Sequence, residues 1–198
     1  MKRKLNLGCG EERMGGYVNV DINELAKPDI IHDLNSIPYP FKDNEFDEVY
    51  CSHVLEHLRE PFKVMKEMHR ILKDSGILIL KVPHFSRGFT NTDHKCGFDA
   101  GFPMYFNSGF TRSGYFGVDF ELKRIRLRWM QSPKLLRRVG VGTITVWVAS
   151  VAGAVFDFFA NLSPYFCSRI WCFYVGGFEE IEFVFVCSKP KRKEAVRR

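Results

Sequence analysis

The residues best suited to chemistry in this sequence lie at the ends of short apolar runs. Gly8 and Gly10 close the run Lys4–Leu7, and the carboxylate of Asp21 closes the next run. Glycines at alternate positions leave room for a ligand to approach the backbone, because no Cβ stands in the way. A carboxylate at the end of the following strand can accept both hydroxyl groups of a ribose. The pattern therefore indicates a site for a nucleoside-containing cofactor.

Two later runs end in the same way. Asp33, with Leu34 beside it, closes the third run, and Ser52 with His53 closes the fourth. Carboxylates at successive strand ends suit a diol and an exocyclic amine, because both of these ligand groups donate hydrogen bonds. Asp21 and Asp33 are therefore candidates to bind a nucleoside, although either acid alone would also suit a turn or a helix cap.

The elements that would position these groups alternate along the first half of the chain. The four runs occupy residues 4–7, 18–22, 28–34 and 46–53. Pro61 suits a first helical turn, and apolar residues then recur at helical spacing up to Leu72, with Gly76 marking the end. The run Gly76–Pro83 is almost wholly apolar, as in a parallel strand buried on both faces. This order predicts an open α/β sheet.

The second half follows a different pattern. Residues 87–107 are rich in Gly, Phe and polar residues, which predicts a loop or lid over the strand ends. Residues 120–129 alternate apolar side chains with arginines, as a strand at or near a sheet edge does. Residues 181–187 form a predicted last strand. Between these two strands, where a short connection would suffice, lies a strongly apolar insertion at 131–177.

The composition is that of one globular domain, 1–188, with a basic end. The chain has 198 residues, of which 45% are hydrophobic and 26% are charged, enough for a sizeable core. Residues 189–198 carry six basic groups and one acid, so most of the formal net charge of +6 belongs to this end. We predict a flexible tail or, alternatively, a contact with an anionic membrane or nucleic acid. No basic stripe elsewhere favours nucleic acid.

The cysteines and the N-terminal residues indicate the cellular compartment in which we expect the protein. Six cysteines are scattered without paired or metal-finger spacing, which predicts reduced thiols in a cytoplasmic protein. The basic residues 2–4 are followed by charged and Gly-rich residues instead of an apolar segment. No export signal is therefore predicted.

In their order and spacing, four segments resemble the class I S-adenosylmethionine-dependent methyltransferases of the methyltransferase type 11 group. These segments are Leu5–Gly10, Val20–Asp21, His32–Leu34 and Phe46–His57. The resemblance implies a Rossmann-like α/β fold with a mostly parallel seven-stranded sheet, an antiparallel C-terminal strand and the apolar insertion before that strand. It also implies an enzyme that uses S-adenosylmethionine.

One departure from the family pattern sharpens this interpretation. Only ten residues separate Leu7 from Val18, and Gly15 and Gly16 interrupt them, so the usual crossover helix is reduced to a turn. A turn offers no long helix dipole to a phosphate group. The shortened connection therefore favours a cofactor without phosphate, such as S-adenosylmethionine.

The resemblance implies roles for the residues at the first two strand ends. Gly8, Cys9 and Gly10 would line the methionine part of the cofactor through their backbone. Asp21 would accept the ribose hydroxyls. Ile22 would pack on the adenosine, with a core role as the alternative.

At the third and fourth strand ends, the resemblance implies contacts with the rest of the cofactor. Asp33 and Leu34 would meet the adenine. Ser52 and His53 would touch the cofactor carboxylate or the acceptor, and a structural role in the turn is the alternative for His53.

A base for methyl transfer is the hardest residue to identify. Asp93 and His94 are the best candidates, because the loop after the fifth strand should reach over the cofactor and pairs an imidazole with a carboxylate. His84 is second, and all three also suit hydrogen bonding within a lid. Glu56 and His57 suggest metal ligands but lack the order of a zincin motif, so no metal is predicted.

The apolar insertion leaves three alternatives open. Residues 139–156 carry no charge, and they could form a lid or acceptor-pocket helix, an interfacial helix on a membrane through 139–160, or a true span. We predict transfer of a methyl group to a small-molecule or lipid-linked acceptor by a cytoplasmic protein, with membrane association as an open alternative. The alternatives are an RNA or protein methyltransferase and a non-catalytic membrane or partner adaptor.

Overall fold

The protein, described by a computed structural model at residues 2–88, 91–110, 114–131, 135–138, 140–174 and 176–190, contains one mixed sheet. Its strands are β1 (Lys4–Leu7), β2 (Tyr17–Asp21), β3 (Ile30–Ile31), β4 (Phe46–Ser52), β5 (Leu72–Pro83), β6 (Asp119–Arg128) and β7 (Glu180–Ser188). Their order is β3-β2-β1-β4-β5-β7-β6. Among these seven strands, β7 runs in the direction opposite to the other six, so its pairings with β5 and β6 are antiparallel. The predicted fold class is confirmed.

Helices connect or flank these strands. They are α1 (Pro61–Ile71), α2 (Phe85–Gly88), α3 (Leu135–Arg138), α4 (Thr143–Leu162) and α5 (Pro164–Arg169), with 3-10 turns at Glu24–Ala26, Leu55–His57, Phe102–Phe106 and Trp171–Phe173. Helix α1 begins at Pro61, as predicted, and buries Met65 and Met68 in the core. Its residues follow the helical spacing that the sequence indicates.

Helix α1 ends five residues before the predicted stop at Gly76. Leu72 already has extended backbone and is fully buried, where it pairs with Phe46 of β4. The register then shifts, so that Ile77 pairs with Glu48, and Ser75 in between has a left-handed φ of 62°. The burial of Leu72 as a strand residue outweighs its helical spacing, and β5 is correspondingly longer than predicted.

The connection from β1 to β2 contains no helix in the structure, as the spacing predicted. Two buried asparagines hold it instead. Asn19 accepts a hydrogen bond from the Met14 N–H and donates to the Met14 carbonyl, and Asn6 donates to Asn19 Oδ1 and to the Glu12 carbonyl. Both asparagines are at most 3% exposed. The loop is therefore anchored by side chains rather than by helix packing.

The prediction of a lid at 87–107 is wrong for part of that segment. Phe98, Phe102 and Phe106 are buried in the core. Phe62 of α1 packs beside this aromatic group, with its ring 5.9 Å from Phe106. These aromatic residues make the segment part of the wall of the core, because their large apolar surfaces are buried there away from water.

The apolar insertion runs along the outer edge of the sheet. Strand β6 is that edge, as its alternating pattern predicted. Asn161 of α4 accepts from the Leu127 N–H and donates to the Leu127 carbonyl, each over 2.8 Å, and Asp157 accepts from the Trp129 N–H over 2.7 Å. Helix α4 thus satisfies backbone groups that an edge strand leaves unpaired.

Candidate active site

The first loop of the site requires glycine at Gly8. Its φ is +67°, and a Cβ there would lie 2.1 Å from Cγ2 of Val54. Gly10 also has a left-handed φ, of +48°, but no heavy atom would lie within 4 Å of a Cβ at that position. One glycine is therefore required by packing, and the other opens the backbone towards a ligand.

The amides of this loop are engaged within the chain. Gly8 and Cys9 both donate to the Val20 carbonyl, and Gly10 donates to Oδ2 of Asp21. Cys9 is itself buried. The loop therefore offers open space and backbone carbonyl groups to a ligand. The glycine spacing suggested instead that backbone amides would point at the ligand.

Asp21 ends β2 beside that open space. Its Oδ2 accepts from Gly10, and its Oδ1 accepts from the Asn23 N–H over 2.8 Å. A carboxylate accepts about four hydrogen bonds, so both oxygens retain lone pairs for hydroxyl donors. Ile22 next to it is 64% exposed, an apolar surface that the core does not use. The pair fits a ribose and the face of an attached base.

Asp33 and Leu34 follow β3, and the surroundings of their two side chains differ from one another. The pKa of Asp33 lies below its usual value, chiefly because the Asn35 N–H donates to its carboxylate. The ionised carboxylate can accept from an amine donor. Leu34 is only 5% exposed, so its side chain belongs to the core, and what it offers at the surface is its backbone.

His53 follows Ser52 at the end of β4 in a strained conformation. Its φ of 53° is left-handed for a residue with a side chain, a conformation that the surrounding structure has to enforce. Its Nε2 lies 2.9 Å from Oε2 of Glu180 and 2.7 Å from the amide of Gln131. Its Nδ1 lies 3.4 Å from Oε1 of Glu56. The imidazole is therefore held between two carboxylates.

This arrangement favours the charged imidazole. Burial alone would lower the pKa of His53, but Glu180 and Glu56 together raise that pKa to about 9. An imidazolium has no acceptor atom, so the side-chain amide of Gln131, whose Nε2 lies 2.7 Å from His53 Nε2, accepts from it only when the amide is turned to present its oxygen. His53 thus acts as a hydrogen-bond donor and is poorly suited to be a general base at neutral pH.

Asp93 and His94 lie next to the turn after β4. Oδ2 of Asp93 is 3.0 Å from Nδ1 of His57, and the rings of His57 and His94 are 4.9 Å apart, edge to face. His57 and His94, together with His53 and Glu56, border a cleft of about 280 Å³. The structure therefore brings the predicted base candidates to the same edge of the sheet as His53.

His84, the second candidate for a base, lies elsewhere. It is fully buried, with Nδ1 2.7 Å from the hydroxyl of Ser86 and Nε2 2.8 Å from that of Ser168. Burial lowers the pKa of His84 to about 4. Its contacts are those of a neutral core histidine that links the strand end to α5.

Sequence reasoning did not single out two of these groups. Glu180 opens β7, which is 127 residues from His53 along the chain, and Gln131 follows β6. Only the pairing of β7 with β5 brings Glu180 to the site. An acid at the start of the last strand was the only local signal, and Gln131 had none.

A second, larger groove adjoins this cleft. It lies between β6 and α4, has a volume of about 780 Å³, and is bordered by apolar side chains such as Met130 and Phe158 and by Arg124, Arg126 and Arg128. Gln131 borders both the groove and the cleft at His53. The two spaces are therefore neighbours, with one side chain between them.

Comparisons with known proteins agree with this geometry. The family described as a methyltransferase domain, of the type 11 group, matches residues 5–80. An uncharacterized protein of Methanocaldococcus jannaschii is 50% identical over 69 residues, which are 33% of this chain and 30% of that protein. A demethylmenaquinone methyltransferase of Bacillus pumilus is 28% identical over 105 residues, covering 53% of this chain and 38% of the relative.

A further curated relative matches over a shorter length. A tRNA U34 carboxymethyltransferase of Campylobacter curvus is 32% identical over 60 residues, covering 30% of this chain and 20% of the relative. The matches thus span well under half the length of these curated relatives.

The fold has solved counterparts over nearly its whole length. A SAM-dependent methyltransferase from Archaeoglobus fulgidus matches with a TM-score of 0.55 at 18% identity, covering 93% of this chain and 86% of that one. S-adenosylmethionine is the cofactor of this family, and the open side of Gly10, the oriented carboxylate of Asp21 and the exposed Ile22 fit its nucleoside. Residues 5–80 thus match the methyltransferase domain family of the type 11 group, and the fold of nearly the whole chain is similar to that of a SAM-dependent methyltransferase.

Proposed function

We propose that this protein transfers a methyl group from S-adenosylmethionine to an apolar, lipid-linked small molecule that carries an anionic group. S-adenosylmethionine supplies an electrophilic methyl group when bound. Methyl transfer then requires the protein to hold the acceptor atom in line and to shield it from water. The residues at the ends of β1 to β4 would hold the cofactor, and the cleft at His53 would hold the acceptor.

The observation that carries this proposal is the position of Gln131 between the groove and the cleft. An extended acceptor could lie along the groove and reach the cleft with its reactive end. Apolar side chains on one wall suit a hydrocarbon body, and arginines suit a phosphate or carboxylate group.

The arginines of the groove differ in their pairing. Arg124 donates to Glu182 over 2.8 Å, and Arg128 lies 3.3 Å from Glu180. Arg126, exposed between them, has no carboxylate within ion-pair distance among the described residues. Arg126 is therefore the guanidinium with most charge available to an anionic acceptor.

We further propose that α4 contacts a membrane surface. By length and composition this helix could cross a membrane, and only 17% of its most apolar window is buried. Its exposed side chains include Trp147, Phe158 and Leu162. Because Asn161 and Asp157 on the same helix bond to the edge of β6, an interfacial position is favoured over a span. A lipid-linked acceptor would then enter the groove from the lipid surface.

Transfer of a labelled methyl group tests this function. The full chain is incubated with methyl-tritiated S-adenosylmethionine and, in separate reactions, with a membrane lipid extract, with a soluble small-molecule extract and with RNA. We expect label in the lipid fraction, reduced at least tenfold in Arg126→Gln. Label that appears only in RNA would favour the alternative class of acceptor and contradict the proposal.

A further inference from the structure

The turn after β4 contains a buried carboxylate without a hydrogen bond. The side chain of Glu56 is 0% exposed, and neither Oε1 nor Oε2 has a hydrogen-bond partner among the described residues. Its nearest charged neighbour is Nδ1 of His53, at 3.4 Å and outside hydrogen-bond geometry. The imidazolium of His53 compensates for part of this buried charge, but both carboxylate oxygens keep lone pairs that a further cation could occupy, and burying such acceptors without partners costs free energy.

Two imidazoles share this position. One ligand atom each from Glu56, His57 and His94 lies within 4.8 Å of the others, and Nε2 of His57 is 3.9 Å from Oε1 of Glu56. Small side-chain rotations would place each of the three atoms about 2.0–2.2 Å from a shared divalent cation, which is the metal–ligand distance of imidazole and carboxylate groups. We propose that Glu56, His57 and His94 form a binding site for a divalent metal ion.

The surroundings of His57 support this assignment. Oδ2 of Asp93 lies 3.0 Å from Nδ1 of His57, within ion-pair distance but outside hydrogen-bond geometry, and a small rotation would let Nδ1–H donate to it. A carboxylate behind a coordinating histidine orients the ring and increases its basicity. Asp93 is 77% exposed at its side chain, so it is a positioning residue here, whereas the buried Glu56 supplies the negative charge.

The chemistry of the ligands limits the metal. Two imidazoles and one carboxylate suit a divalent transition ion such as Mn²⁺, Fe²⁺ or Zn²⁺, and leave coordination positions open. These positions would face the cleft that His53 and Gln131 also border. If the proposed function holds, a metal there would bind and polarise an acceptor oxygen. Binding of the ion itself does not depend on that function.

Titration of the full chain with MnCl₂ alone tests the site. Mn²⁺ is the chosen probe because thiolates, which the six cysteines could offer, select softer ions. We expect one Mn²⁺ per chain by electron paramagnetic resonance. Glu56→Gln and His94→Gln should each weaken binding by more than about 100-fold, and Asp93→Asn by about 10- to 100-fold.

His32→Gln is the matched control, since it removes an imidazole that lies outside the cluster and bonds to the Ser36 carbonyl. Its Mn²⁺ affinity should equal that of the parent. Glu56→Gln is nearly isosteric and removes a buried charge, so its melting temperature without metal should stay within about 5 °C of the parent. In that folded variant Mn²⁺ should no longer raise the melting temperature.

Two results would overturn the proposal. One is absence of Mn²⁺ binding to the parent chain, and the other is binding that Glu56→Gln and His94→Gln leave unchanged. S-adenosylmethionine binding, measured on the same samples, separates this outcome from failure of the proposed function. A chain that binds the cofactor but not Mn²⁺ is a methyltransferase without this metal site.

Discussion

The N–H of Gly10 donates a 2.8 Å hydrogen bond to Oδ2 of Asp21, which joins the loop after β1 to the end of β2. The other oxygen of Asp21 accepts from Asn23. Both bonds fix the orientation of the carboxylate with respect to the glycine loop. The two groups predicted to contact the methionine part and the ribose of the cofactor are thus positioned relative to one another by direct contact.

Gly8→Ala should destabilise the protein and disrupt this loop. A Cβ would overlap Val54 at 2.1 Å in a backbone conformation that side chains rarely adopt. We expect a loss of about 1–3 kcal/mol in the free energy of unfolding, measured with urea. Gly15→Ala is the control, because nothing lies within 4 Å of a Cβ there and its φ is not left-handed. Equal urea midpoints for the two variants would contradict the packing argument.

Asn161→Ala should open the edge of β6. Its amide donates to the Leu127 carbonyl and accepts from the Leu127 N–H. Loss of these bonds should cost about 1–3 kcal/mol of stability and accelerate hydrogen exchange at the Leu127 amide. Thr145→Ala removes an exposed polar side chain from the same helix and should change neither quantity. Unchanged protection of Leu127 in Asn161→Ala would show that α4 does not cover this edge.

His84 should make stability depend on pH. Burial lowers its pKa to about 4 in the folded state, while the unfolded value is about 6.5. Between these values the unfolded chain binds the proton more readily, so stability falls as pH decreases from 6.5 towards 4, by up to about 3 kcal/mol. Urea titrations at pH 7.5 and 4.5 should show a smaller pH-dependent loss in His84→Gln than in the parent. An identical loss in both proteins would exclude His84 as the source.

Charge on the exposed face of α4 should abolish membrane contact. Trp147→Asp combined with Phe158→Asp places two carboxylates where 66% and 64% of the native side chains are exposed, so folding should be preserved. We expect the parent chain to co-sediment with anionic phospholipid vesicles and the double variant to remain in the supernatant. Leu25→Asp, at an apolar residue 89% exposed elsewhere on the surface, should sediment like the parent. Equal sedimentation of the double variant would refute lipid contact through α4.

Features of the fold were predictable from the sequence where their signal lies in residues that are neighbours along the chain. Strands β1 to β4 and their terminal polar residues were predictable, because period-two apolar runs and the glycines after Leu7 are local features. The end of α1 was not, since Leu72 has helical spacing but is buried as a strand partner of Phe46. Tertiary contacts decided that boundary.

Nonlocal pairing also explains what was missed at the site. Glu180 meets His53 only because β7 returns antiparallel beside β5. Asn6 is a polar residue in an alternating strand, and its burial depends on Asn19 of the neighbouring strand. The predicted flexible tail lies largely at 191–198, outside the described residues, so it stays a prediction.

Binding of S-adenosylmethionine, measured by isothermal titration calorimetry on the full chain and on Asp21→Ala, tests the central claim most directly. Asp21 is half-buried at the surface, and its carboxylate accepts two backbone hydrogen bonds from the described residues, so the variant should fold. We predict one cofactor bound per parent chain and an affinity at least tenfold lower in Asp21→Ala, equivalent to about 1.4 kcal/mol. Absence of binding to the parent chain, or equal affinity in the two proteins, would contradict the account.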